Sequence, residues 1–137
     1  MVIYLVWLLT AQGLYRLYFG AAEPASIMAF IDQIFTTGAG WGLIIMGCTA
    51  GFIFSAVVFA LSVMSFPLLL DRDVGLMTAV GTSIRSVIRN PITMFIWGLI
   101  IAVTLAIASI PFFVGIAIVM PVLGHATWHL YRKTVGP

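Results

Sequence analysis

Four apolar runs, at about residues 1–17, 41–70, 91–110 and 111–131, restrict what this chain can fold into. A helix needs roughly 20 apolar residues to cross the hydrocarbon core of a bilayer. No Asp, Glu, Lys or Arg interrupts the middle of any run; Arg16 stands at the end of the first. Backbone N–H and C=O groups find no water inside hydrocarbon, so each run must satisfy its own and become a helix. The expected fold class is all-α: a polytopic transmembrane helical bundle, read as one transmembrane domain over 1–137. Composition agrees, with 63% hydrophobic and 7% charged residues. A soluble domain carries about 25% charged residues. Ten charged side chains cannot cover a soluble globule, so the partners expected first are membrane lipids.

Several classes of function are excluded early. The net charge is +2, and the six basic residues are scattered, so the chain has no nucleic-acid footprint. Cys48 is the single cysteine, which rules out an intramolecular disulfide. No Lys or Arg precedes the first apolar run, so it does not read as a signal peptide. Met1 opens directly into Val2-Ile3-Tyr4 without a polar flank, an abrupt start that suggests a longer native chain.

The connections carry amphipathic signals. After Tyr15, Arg16, Tyr18 and Phe19, an interfacial cluster, Glu23-Pro24-Ala25-Ser26 suits a helix start. Ile27, Phe30, Ile31 and Ile34 then recur at helical spacing, giving a short interfacial helix or a plain capped connector over about 25–36. Asp71-Arg72-Asp73 marks an exit into water, and Pro67 kinks or ends the helix before it. Over about 73–90, Val74, Met77, Val80, Ile84 and Val87/Ile88 form an apolar stripe. Asp73 is placed to cap this second interfacial helix, and Asn90-Pro91 to stop it. Ser109-Ile110-Pro111 is the only break between the last two runs, which implies a tight hairpin, and Pro111 and Pro121 suggest an irregular or kinked final helix.

Small residues at four-residue spacing predict helix-packing faces: Gly47, Gly51 and Ser55 in one run, Gly98, Ala102 and Ala106 in another. Charge predicts orientation. Arg72, Arg85, Arg89, Arg132 and Lys133 fall on one side of a four-span arrangement, and the connection holding Glu23 and Asp32 falls on the other. The positive-inside rule then places both termini in the cytoplasm. Those five basic residues are read as facing lipid headgroups or a partner subunit.

Candidate chemistry is confined to His125 and His129, one turn apart in Gly124-His125-Ala126-Thr127-Trp128-His129. Ionisable groups inside a membrane point to function by default. The plain reading puts His129 in an interfacial belt with Trp128, Tyr131 and Arg132. His125 then hydrogen-bonds to a neighbouring helix, because an unpaired polar group in hydrocarbon costs several kcal/mol. The sharper reading makes one or both a ligand to haem iron, chlorophyll magnesium or copper. Two histidines on one helix face cannot sandwich one haem, so a bis-His site needs a partner chain. A proton relay finds no central Asp, Glu or Lys in the other runs. No carboxylate pair, phosphate loop or zinc spacing supports soluble-type catalysis.

Ser65-Phe66-Pro67-Leu68-Leu69-Leu70-Asp71-Arg72-Asp73-Val74-Gly75, Thr82-Ser83-Ile84-Arg85, Asn90-Pro91, Trp97-Gly98 and Pro121-Val122-Leu123-Gly124-His125-Ala126-Thr127-Trp128-His129-Leu130-Tyr131-Arg132 carry a family likeness. Together they resemble an uncharacterised family of bacterial, mainly proteobacterial, predicted integral membrane proteins, a domain of unknown function. The resemblance implies a membrane chain extended at the N-terminus, matched here through its C-terminal portion, and supplies no mechanism. The leading expectation is a non-catalytic accessory subunit or assembly factor of a larger inner-membrane complex, respiratory or photosynthetic, with no cofactor of its own. The alternatives are a haem-, chlorophyll- or metal-binding protein using His125 or His129, and a small oligomeric permease or channel.

Overall fold

A computed structural model describes residues 2–21, 24–110 and 113–135. Among them the chain is all-α, with helices α1 (Val2–Phe19), α2 (Ile27–Thr36), α3 (Gly38–Ser62), α4 (Ser65–Asp71), α5 (Leu76–Arg89), α6 (Pro91–Ser109) and α7 (Val114–Val135). Four segments are long and apolar enough to cross a membrane: α1, the α3–α4 stretch, α6 and α7. At 1.5 Å per residue, α1 and α6 are about 27–29 Å long and α7 about 33 Å, close to the ~30 Å of a hydrocarbon core. By the same rise α3 spans the core unaided at about 37 Å, which leaves α4 in excess of the crossing. Contacts divide the chain into two compact units, Met1–Val57 and Val58–Pro137.

In the first unit, α2 starts where Ser26 accepts a hydrogen bond from the Ala29 amide at 3.1 Å. Glu23 lies outside the described residues. The α2 helix docks on the end of α1 through rings: Phe30 stands 5.9 Å from both Tyr15 and Phe19. Ile27, Met28, Ile31 and Phe35 stay exposed. Thr37 closes the turn into α3, donating to the Gln33 carbonyl and accepting from the Gly40 amide. The α3 helix therefore begins at Gly38, three residues before the expected start at Trp41. Gly42 lies against the Tyr18 ring, where a Cβ would collide. A shallow groove between α1 and α3 is lined by Val2, Ile3, Val6, Ile53, Phe54 and Val57.

The second unit holds the core: Val63, Met64, Leu68, Ala79, Met94 and Tyr131, with Phe59, Val87, Trp97 and Trp128 packed against them. Its centre is the break between α3 and α4. Pro67 brings no N–H and its ring crowds the carbonyl of Val63, four residues earlier. One turn before that, the Met64 amide does not bond to the Ala60 carbonyl. The Ser83 hydroxyl from α5 stands between them, accepting from the Met64 amide at 3.1 Å and donating to the Ala60 carbonyl at 2.7 Å. A side chain inserted in the helical ladder is a recognised cause of a break. Ser83 is fully buried.

The α5 helix shows why it can do this. Its buried residues are Ala79, Ser83 and Ser86, a strip of small side chains. The apolar stripe read from the sequence is split: Val74 and Val87 pack against the core, while Met77 is 85% exposed and Ile88 71%. Asp73 does not cap α5; Gly75 occupies the N-cap without a side-chain bond. Asn90 and Pro91 mark the α5–α6 boundary as expected. Between α6 and α7, Gly115 approaches the Ala108 backbone so closely that a Cβ would lie 2.7 Å from the Ala108 carbonyl oxygen. Pro111, assigned to the hairpin and to the start of the last helix, lies outside the described residues. Phe113 has a left-handed backbone, φ 64°, and α7 begins at Val114, not at residue 111. The final helix is continuous through Pro121, which lies in its interior.

Candidate functional site

Four groups of residues bear on function, and the structure treats them differently. The first is the histidine pair. Spacing of four on α7 places His125 and His129 on one face, with ring centroids 6.4 Å apart. Both are exposed. The hydrogen bond expected from His125 to a neighbouring helix is not formed among the described residues. The physical reason is that α7 turns Trp128 and Tyr131 inward, and these occupy the core side instead. The Trp128 and Tyr131 rings meet tilted at 46°, with centroids 5.5 Å apart. No three His, Cys, Asp or Glu side chains converge among the described residues. This chain can offer a macrocycle or a metal one or two imidazoles. Both lie on the same side, so they cannot act as opposed axial ligands.

The second group is a polar cluster at the end of α4. Tyr131 is fully buried, and its hydroxyl donates to Asp71 Oδ2 at 2.7 Å. Arg132 stands 3.6 Å from the other carboxylate oxygen, and Arg72 Nε 3.8 Å from Oδ2. The two ion pairs are partly exposed, so each contributes about 0–1 kcal/mol. The phenol–carboxylate bond is shielded and charge-assisted, worth about 1.5–3 kcal/mol. Asp71 is thus more than a solvated helix exit: it ties the end of α4 to the end of α7. Tyr131, read as part of an interfacial belt, is a core residue.

The third group is the small-residue faces. Gly98 rests against the Phe59 ring, 3.7–3.9 Å from where its Cβ would be. The rest of that row, Ala102 and Ala106, is exposed. On α3 a Cβ at Gly47 or Gly51 would meet nothing within 4 Å, and Ser55 is exposed with its hydroxyl turned back to the Phe52 carbonyl. The Gly47, Gly51 and Ser55 face is therefore open within the first unit. A further intrachain small-residue contact lies on α5, where Ala79 and Ser83 have the same four-residue spacing. The signal was present in the sequence but stood inside an amphipathic pattern. The fourth group, Arg85 and Arg89, is exposed at the end of α5, and Lys133 is exposed near the end of α7.

Comparison with known proteins adds one result. A family described as "Predicted integral membrane protein (DUF2189)" matches residues 1–71. The match includes the stretch from Ser65 to Asp71 and ends before the motifs around Ser83, Trp97 and His125. No curated protein and no solved structure matches the chain. With four apolar segments of membrane-crossing length and a match over half its length, this chain belongs to that family of integral membrane proteins, DUF2189.

Proposed function

We propose that the chain is a non-catalytic accessory subunit or assembly factor of a larger complex in the bacterial inner membrane, with both termini in the cytoplasm. The observation that carries this reading is the open face of Gly47, Gly51 and Ser55 on α3. Small residues bring helix backbones together, and against lipid tails they gain nothing from closeness. The first unit does not fill this face itself, so another membrane helix is the natural occupant. Respiratory and photosynthetic assemblies are hosts of the right kind. Purification in a gentle detergent, with mass spectrometry of co-eluting chains, tests the reading. Wild type should bring down larger membrane subunits, and Gly51→Leu should lose them while melting within about 1 °C of wild type. A wild type that elutes alone, or a Gly51→Leu protein that keeps its partners, contradicts it.

A second reading is supported by the exposure of His125 and His129 on one face without an intrachain partner. A cofactor held at the edge of a partner chain would take one imidazole as an axial ligand. A Soret or red chlorophyll band in the purified complex, lost in His125→Leu, would favour it. A colourless complex would leave the accessory reading alone.

A further inference from the structure

The α5 helix presents three distinct sides, and only one is used by the protein. At 3.6 residues per turn, Ala79, Ser83 and Ser86 share one sector, which is buried against the second unit. Met77, Ile84 and Ile88 share a second sector, roughly 150° away, and all three are exposed. Arg85 and Arg89 share a third, about 100° beyond the apolar one. Both arginines are exposed. Neither forms an ion pair among the described residues; the recorded pairs belong to Asp71 with Arg72 and Arg132. Asp73, the nearest other carboxylate in sequence, precedes the helix, and Leu76 to Arg85 is roughly 13 Å of helix.

Water alone does not suit such a helix, because the apolar sector would stay wet. The hydrocarbon core alone does not suit it either, because two guanidinium groups would be stranded. A helix lying at the boundary satisfies both, with its apolar side sunk about 5–10 Å and its cations at headgroup level. The helix is held in place from behind by Ser83 in the α3–α4 break, so its orientation is fixed by the fold. We propose that Arg85 and Arg89 form a binding site for the phosphate of anionic phospholipids, with Met77, Ile84 and Ile88 seated among the acyl chains beneath. A guanidinium matches phosphate oxygens with paired N–H donors, which a lysine ammonium does not. The last turn of a helix also favours cations for the helix dipole's sake. That accounts for Arg89, but not for an exposed apolar sector beside it. This inference is independent of the accessory-subunit reading.

The test uses the full chain in nanodiscs of phosphatidylcholine alone or with about one third phosphatidylglycerol, with retained lipids counted by native mass spectrometry. Wild type should retain phosphatidylglycerol preferentially. Each arginine near a charged surface contributes about fivefold, so Arg85→Gln/Arg89→Gln should lower the preference by roughly 25-fold, and high salt should weaken it in wild type. Thr78→Ala, at an exposed and uncharged position of the same helix, should change it less than twofold. Arg85→Lys/Arg89→Lys, which preserves charge, should keep part of the preference, which separates loss of the site from loss of the fold. The proposal is overturned if wild type shows no preference between the two lipids, if the double Gln variant keeps it, or if the preference is abolished equally by Thr78→Ala.

Discussion

The two compact units are built from the same kinds of residue and held together by different means. In Met1–Val57 the single buried residue among those described is Gly40, and α1 buries none. In Val58–Pro137 two Met, a Tyr and a Ser are buried completely, and four helices contribute to one core. Hydrophobicity does not explain the difference, since both units are apolar. Between helices in lipid there is no hydrophobic drive, because acyl chains are as apolar as leucine. Close backbone approach and shielded polar contacts do the joining. The second unit has both: Gly115 against Ala108, Ser83 in the helix break, and Tyr131 on Asp71. The first has a ring cluster and Gly42 against Tyr18, while its best small-residue face stays open. One unit is defined by its own buried contacts, and the other buries almost nothing of its own.

The comparison can be broken most severely at Tyr131. Tyr131→Ala removes a fully buried ring and should destabilise the protein by about 3–5 kcal/mol, the usual cost of truncating a core aromatic. Thermal melting in nanodiscs would show it, and an unchanged melt would mean that the second unit is not held by this core. Ser83→Ala should cost about 1–3 kcal/mol, because a buried amide and carbonyl lose their shared partner. Amide exchange at Met64 should accelerate with it; unchanged exchange would mean that the α3 ladder recloses without the hydroxyl. Leu9→Ala, on the 68% exposed side of α1, should shift stability by less than about 0.5 kcal/mol, as surface substitutions do. A loss above 2 kcal/mol there would show that the first unit is self-packed after all.

The number and rough extent of the crossing segments were legible in the sequence, because membrane helices announce themselves by length and lack of charge. So were α2 and α5, whose periodicity is local. What faced what was harder. The apolar stripe of α5 reads as the side of an interfacial helix, and Met77 and Ile88 are exposed; that the small strip of Ala79 and Ser83 is the side turned inward was not read. In lipid small residues pack and large apolar ones can face acyl chains. Tyr131 and Asp71 are 60 residues apart, and no spacing rule links them. The histidine spacing was legible, but the hydrogen bond assigned to His125 depended on which side of α7 faces inward. Trp128 and Tyr131 settled that against it.

Photo-crosslinking in native membranes tests the central claim most directly. A benzophenone side chain placed at Gly51, on the open α3 face, should capture another polypeptide chain. The same group at Leu9 should capture lipid only. Protein adducts from Gly51 that disappear when the membranes are dissolved in harsh detergent before irradiation would confirm that the first unit is completed from outside. Lipid adducts alone at Gly51, with none to protein, would contradict the account, because the small-residue face would then be an ordinary lipid-facing surface.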